Sequence, residues 1–215
     1  MISAIIPINS VTDISEGVLE KNKKIRLLSS DVWKKYDWNS FRAFCHSHPR
    51  YGIPTTELVQ FLREKINGRH AIEIGAGAGD LGYHLRIGMT DSRQQEIPEI
   101  RRHYELMQQP VIQYPDDVEK LEALDAVRRY RPEVVIGSWI TTYAPHEMPY
   151  GSNPYGIREL DILGSVSTFI IIGNTDIHHD KPIMNIEHEE YGFDWLISRG
   201  KNQSNNRIWI WNRKT

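Results

Sequence analysis

One short stretch of this chain concentrates residues able to do chemistry: Glu73-Ile74-Gly75-Ala76-Gly77-Ala78-Gly79-Asp80. A strand that ends in Gly-x-Gly-x-Gly and feeds a helix lets the backbone pass close beneath a ligand. It also aims free helical N–H groups at the ligand's anionic end. Glu73 stands two residues before the first glycine, at the expected strand end. Asp91, about eighteen residues further on, closes the next strand candidate, where a carboxylate can accept hydrogen bonds from a ribose diol. Later strand ends carry Asp116 and Asp117, then Ser138, Trp139, Tyr143 and His146.

These residues need a scaffold, and the apolar pattern supplies one. From Pro54 onward Leu58, Val59, Leu62 and Ile66 recur at helical spacing, with Gly68 available to end the helix. A strand follows over residues 70–74, and residues 80–85 read as a short helix. A second strand is expected over 86–90, reaching Asp91, and a third over 111–114. A helix is expected over 117–130, closed by Arg131-Pro132. The β-branched runs 134–137 and 169–173 suit strands covered on both faces, with a helix over 157–166 between them. Residues 195–198 and 207–211 flank a Gly/Asn/Ser-rich turn and predict an antiparallel hairpin. The expected fold is therefore α/β, a doubly wound and mostly parallel sheet with helices on both faces and a C-terminal antiparallel hairpin.

The stretch from Ala71 to Leu81 resembles motif I of the class I, Rossmann-like S-adenosylmethionine (SAM) dependent methyltransferases. The resemblance extends in element order from Pro54 to the C-terminus. It implies that Glu73 meets the amino-acid end of the cofactor, while Gly75, Ala76, Gly77 and Gly79 admit it. Asp91, in Gly88-Met89-Thr90-Asp91-Ser92, looks like motif II and would hold the ribose. Asp116 or Asp117 would present an acid to the adenine amino group, and the sequence does not separate them. A dinucleotide reading competes, because Gly77-Ala78-Gly79-Asp80-Leu81-Gly82 satisfies G-x-G-x-x-G. That register puts the ribose acid near Glu96 or Glu99, among Arg and Gln, and sets Asp80 against a pyrophosphate.

In open α/β sheets, ligands lie beyond the strands' carboxyl ends, so residues 137–146 should face the methyl donor. The family's members that methylate DNA or glutamine amino groups carry a Pro-Pro motif there, and this chain has none. The implied acceptor is a small molecule, with nucleic acid not favoured. Ser138 and Trp139 would flank the cofactor. His146 and Tyr143 are the candidate base or acceptor-orienting residues, an exposed or capping role being the competing reading for His146. The cluster Asn174, Asp176, His178, His179, Asp180 and His188 has no compelling metal spacing and reads as a polar turn. The alternative function is a non-catalytic adenosyl-binding or partner-binding protein of the same fold. An NAD(P)- or FAD-binding oxidoreductase stands third.

Composition bounds the rest. The 215 residues, 40% hydrophobic and 25% charged, suit one soluble domain, and a net charge of −2 offers no excess cation for long nucleic acid. Cys45 is the only cysteine, so neither an intrachain disulfide nor a four-cysteine zinc site can form, which suits the cytoplasm. Apolar runs are too short to span a membrane. Residues 1–53 interleave Trp33, Tyr36, Trp38, Phe41, Phe44 and Tyr51 with basic residues. By the resemblance they form a lid over the cleft, the competing reading being a helix whose aromatics pack on the core.

Overall fold

Along each central strand, alternate side chains go to opposite faces, and in this chain both faces are apolar. Val134, Ile136, Ile170, Ile172, Ile208 and Ile210 join one buried cluster, while Val135, Phe169, Ile171, Trp209 and Trp211 join another. A computed structural model describes residues 11–144 and 152–213. Its seven-stranded sheet comprises β1 (Ala71–Ile74), β2 (Gly88–Asp91), β3 (Glu119–Lys120), β4 (Val134–Ser138), β5 (Thr168–Asn174), β6 (Glu189–Tyr191) and β7 (Asn206–Asn212). The spatial order is β3-β2-β1-β4-β5-β7-β6. Strands β1 to β5 are parallel, and β7 lies antiparallel between β5 and β6.

The principal helices are α1 (Trp38–Ser47), α2 (Thr56–Ile66), α3 (Asp80–Leu85), α4 (Pro98–Leu106), α5 (Ala123–Tyr130) and α6 (Glu159–Ser165). Helix α2 starts where the Thr55 hydroxyl accepts from Leu58 N at 3.2 Å, and it ends at Asn67 in the left-handed region, one residue before the expected glycine. Helices α2 and α3 cover the first face of the sheet, α5 and α6 the second. The chain runs outward from β1 to β3, then returns to build β4 and β5 on the other side. Ile74 of β1 pairs with Thr90 of β2 and with Gly137 of β4, so three strand ends finish level at the point where the order reverses. A crevice opens there.

The α/β reading and most elements match, but two expectations are corrected. Residues 111–114 are not a strand. Pro110 and Pro115 bracket them, and Ile112 N donates to the Gln95 side chain at 2.8 Å instead of to a ladder. The third strand is the two-residue, polar β3, so α5 begins later than the periodicity suggests, with Glu122 as its N-cap residue. The terminal antiparallel pairing exists, but β7 pairs with β5 and β6. Ile197–Ser198 instead pairs with Gly52–Ile53. The aromatics of residues 11–53 divide between roles: Trp33, Phe41 and Phe44 form a cluster with Ile14, Val18 and Ile25, whereas Tyr51 reaches the crevice.

Candidate functional site

Beyond β1 the backbone turns through Gly75 (φ +59°) and Gly77 (φ +56°), conformations that a side chain would strain. A Cβ on Gly75 would stand 2.9 Å from Ile140, and one on Gly77 would stand 3.2 Å from Ile112. Two buried carboxylates flank this bend, and Asp91 bonds into it. Asp91 Oδ2 accepts from Gly77 N at 2.9 Å while Oδ1 accepts from Arg93 N at 2.6 Å. Glu73 Oε2 accepts from Gly82 N at 2.8 Å, in the first turns of α3. Glycine suits position 82, because an added Cβ would come within 2.8 Å of that same oxygen and crowd the Met89 side chain. Both carboxylates belong to the wall of one cavity.

Burial pushes the Glu73 carboxyl up to about 8, against the Gly82 N–H, with Asp80 adding to the rise. Burial also raises Asp91, opposed by the N–H groups of Gly77 and Arg93. The third acid of the group, Asp80, is fixed by the N-terminal segment: Oδ1 accepts from Ile25 N at 2.8 Å and Oδ2 pairs with Arg50. Lys24, 4% exposed, donates to the Ala78 carbonyl and to Asp117 Oδ1, each at 2.9 Å. Residues 24, 25 and 50 therefore clamp the glycine loop from outside. These long-range pairings leave no periodic trace, so sequence reasoning did not find them.

The cavity has a volume of about 610 Å³, within the range of small-ligand sites. On the β1–β2–β3 side it is walled by Glu73, residues 75–78, Asp91, Gln95, Tyr114 and Glu122. Gly79 does not line it. That residue caps α3 from behind, where a Cβ would meet Val118 at 2.6 Å. Asp116 and Asp117 are exposed and also lie off the wall, Asp117 being paired with Lys24. The shift of β3 accounts for this: the acid just past the actual strand end is Glu122, which sequence reasoning missed because it misassigned the strand.

On the β4–β5 side the wall carries Ser138, Trp139, Asn174 and His178. Trp139 sits at φ +57°, a costly conformation for a bulky side chain, and its N–H donates to Ile172 O at 2.8 Å. Its ring stacks on Tyr51 (6.3 Å, 29°) and meets His178 edge-on at 5.5 Å. His178 is buried, which lowers it to about 4 with Lys181 adding to the effect, so it is neutral at pH 7. Tyr143 is not on the cavity wall, and its ring lies under the Arg158 guanidinium at 4.0 Å. His146 lies outside the described residues.

The polar cluster after β5 also separates. His178 faces the cavity wall, whereas His179 pairs with exposed Asp180 and His188 packs on Trp211. Among the described residues no group of three or more His, Cys, Asp or Glu could hold a metal. The loop after β4 is anchored by a buried group in which Lys181 Nζ donates to Glu159, to Thr142 Oγ1 and, at 3.1 Å, to the Ile140 carbonyl. Glu96 and Glu99, the acids at dinucleotide spacing, are exposed and off the cavity wall, with Glu96 paired to Lys120 at 2.8 Å.

No family model and no curated protein matches the chain. Among solved structures it is similar to a Thermoplasma acidophilum protein, at TM-score 0.40 and 11% identity over 75% of this chain and 91% of that one. A Thermus thermophilus protein gives 0.39 and 13% over 94% and 100%. The Pyrococcus abyssi tRNA (uracil-54, C5)-methyltransferase, solved with S-adenosyl-L-homocysteine, gives 0.37 and 13% over 80% of this chain, which spans only 38% of that enzyme. Likenesses this distant carry nothing about activity. No helix among the described residues is long and apolar enough to cross a membrane.

Proposed function

We propose that this chain is a SAM-dependent methyltransferase of the class I fold acting on a small acceptor. The observation that carries the reading is the bend at Gly75 and Gly77 flanked by Glu73 and Asp91, all four on the wall of one cavity at the reversal of strand order. The fit to the cofactor rests on the same bend, since a Cβ on Gly75 or Gly77 would add both strain and contact in a cradle that bare backbone leaves open. When bound, SAM supplies a methyl group activated on a sulfonium centre.

The chain's residues bind and orient. Glu73 would take the ammonium end, Asp91 the ribose hydroxyls and Glu122 the adenine amino group, with Ile112 and Tyr114 beside the ring. Asp91 can do so while keeping its two backbone donors, because a carboxylate offers about four lone-pair sites. Ser138, Trp139, Asn174 and His178 form the acceptor wall. A histidine held near 4 is a weak proton acceptor, so His178 suits orientation of the acceptor better than its deprotonation. In-line transfer chiefly demands alignment, and the Tyr51–Trp139 pair on the cavity wall offers an aromatic surface for it.

Titration of S-adenosylhomocysteine by calorimetry tests the reading. Binding is expected for the purified chain, and Gly77→Val should weaken it at least about tenfold through lost backbone geometry. A folded protein that binds neither SAM nor S-adenosylhomocysteine would end the proposal.

A further inference from the structure

The charges on the cavity wall are unequally partnered. Four of its five carboxylates, Glu73, Asp80, Asp91 and Glu122, lie at the ends of β1, β2 and β3 or at the start of α3. The wall also carries four cations, Arg42, Arg50, Arg199 and Lys201; Arg50 pairs with Asp80, whereas the other three have no carboxylate partner among the described residues. The remaining acid, Asp176, is occupied by the side-chain amides of Asn202 and Asn205 at 2.8 and 2.7 Å.

Arg199 is built into its position. Its backbone N–H donates to Tyr51 O at 2.9 Å, beside the pairing of Ile197–Ser198 with Gly52–Ile53. Its guanidinium carbon lies 3.8 Å from the centroid of the Tyr51 ring, and one nitrogen donates to the Gln109 side chain at 3.0 Å. A guanidinium offers five N–H donors in a fixed fork, so one neutral partner leaves most of it available. The fork also adjoins the acceptor wall: Tyr51 stacks on Trp139, and a Cβ on Gly200 would stand 3.9 Å from both Trp139 and Asn174. A half-buried guanidinium lying over an aromatic ring, with no carboxylate partner among the described residues, is suited to receiving an oxyanion.

We propose that the small acceptor carries an anionic group, carboxylate or phosphate, that Arg199 grips, with Arg42 and Lys201 adding positive charge at the rim. The inference rests on the methyltransferase reading for the word acceptor, while the anion site itself stands on the geometry.

The test uses planar probes of matched size on the intact chain, with and without saturating S-adenosylhomocysteine: benzoate, phenyl phosphate and the neutral benzamide, their binding measured by calorimetry. Benzoate or phenyl phosphate should bind at least about tenfold more tightly than benzamide, and the preferred anion tells carboxylate from phosphate. Arg199→Gln should reduce the anions to the benzamide level, and Arg199→Lys should restore part of the difference. An unchanged circular dichroism spectrum and thermal melt of Arg199→Gln show that the fold survives. Lys201→Gln, at an exposed position outside the stack, should weaken the anions by a smaller factor. Equal binding of benzoate, phenyl phosphate and benzamide, or anion binding indifferent to Arg199→Gln, would overturn the inference. Failure of S-adenosylhomocysteine to bind while the anions still bind would instead count against the methyltransferase reading alone.

Discussion

On the proposed reading, in which Glu73 receives the ammonium end of the cofactor, binding releases a proton. The Glu73 carboxyl sits near 8, fully enclosed and facing Asp80 and Asp91, so at pH 7 the empty site holds it mostly as the neutral acid. A cofactor presenting an ammonium group there needs the carboxylate. With a pKa of about 8 the ionised fraction is about 1% at pH 6, about 9% at pH 7 and about half at pH 8. The affinity for S-adenosylhomocysteine should therefore climb about ninefold from pH 6 to 7 and about fivefold from 7 to 8, with about 0.9 proton leaving per site at pH 7. Calorimetry in two buffers of different ionisation heat counts that proton directly. Glu73→Gln gives the baseline, since it retains a carbonyl oxygen for Gly82 N and removes the titration, leaving only the ligand's own amine to respond to pH. A wild-type affinity that stays flat from pH 6 to 7.5, or an equal slope in Glu73→Gln, would refute the reasoning.

Two further outcomes concern stability. Because the folded pKa of Glu73 lies above the ordinary 4.5, the folded chain holds a proton that the unfolded chain has already released, so this residue's contribution declines as pH rises from about 4.5 to about 8. Urea midpoints should fall across that window, and Glu73→Gln should show a shallower fall. Lys181→Met strands the Glu159 carboxylate, 3% exposed, and should cost about 3–5 kcal/mol in urea denaturation. Adding Glu159→Leu should recover most of that loss, since the remaining orphans are the Ile140 carbonyl and the Thr142 hydroxyl. A double variant as unstable as the sum of the singles would show that the pair is not coupled.

The glycine bend, Glu73 and Asp91 were legible because a short strand, a bare turn and a following carboxylate are local and carry their own residue types. The central strands were legible because cover on both faces demands unbroken apolar runs. What escaped the sequence is marginal or long-range. Strand β3 lies at the sheet edge, where two polar residues suffice to extend the ladder, so its pattern is invisible beside the more β-like Val111–Tyr114. That single misassignment directed attention to Asp116 and Asp117 and away from Glu122. Tyr143 looked like an acceptor residue by its position after β4, yet Arg158, fifteen residues later by the numbering, covers its ring. Lys24 and Arg50 act on residues 78 and 80, and no local rule predicts ion pairs across such separations.

The grip of Lys24, Ile25 and Arg50 on residues 78–80 bears on how the chain can be dissected. A fragment starting at Pro54 would retain every strand of the central sheet, yet Asp80 would lose both its cation and its amide donor. Such a fragment would leave that acid to solvent and remove the outer hold on the glycine loop. Residues 24–50 are thus no detachable appendage, and any shortened version meant for crystallography or redesign must carry them or neutralise Asp80.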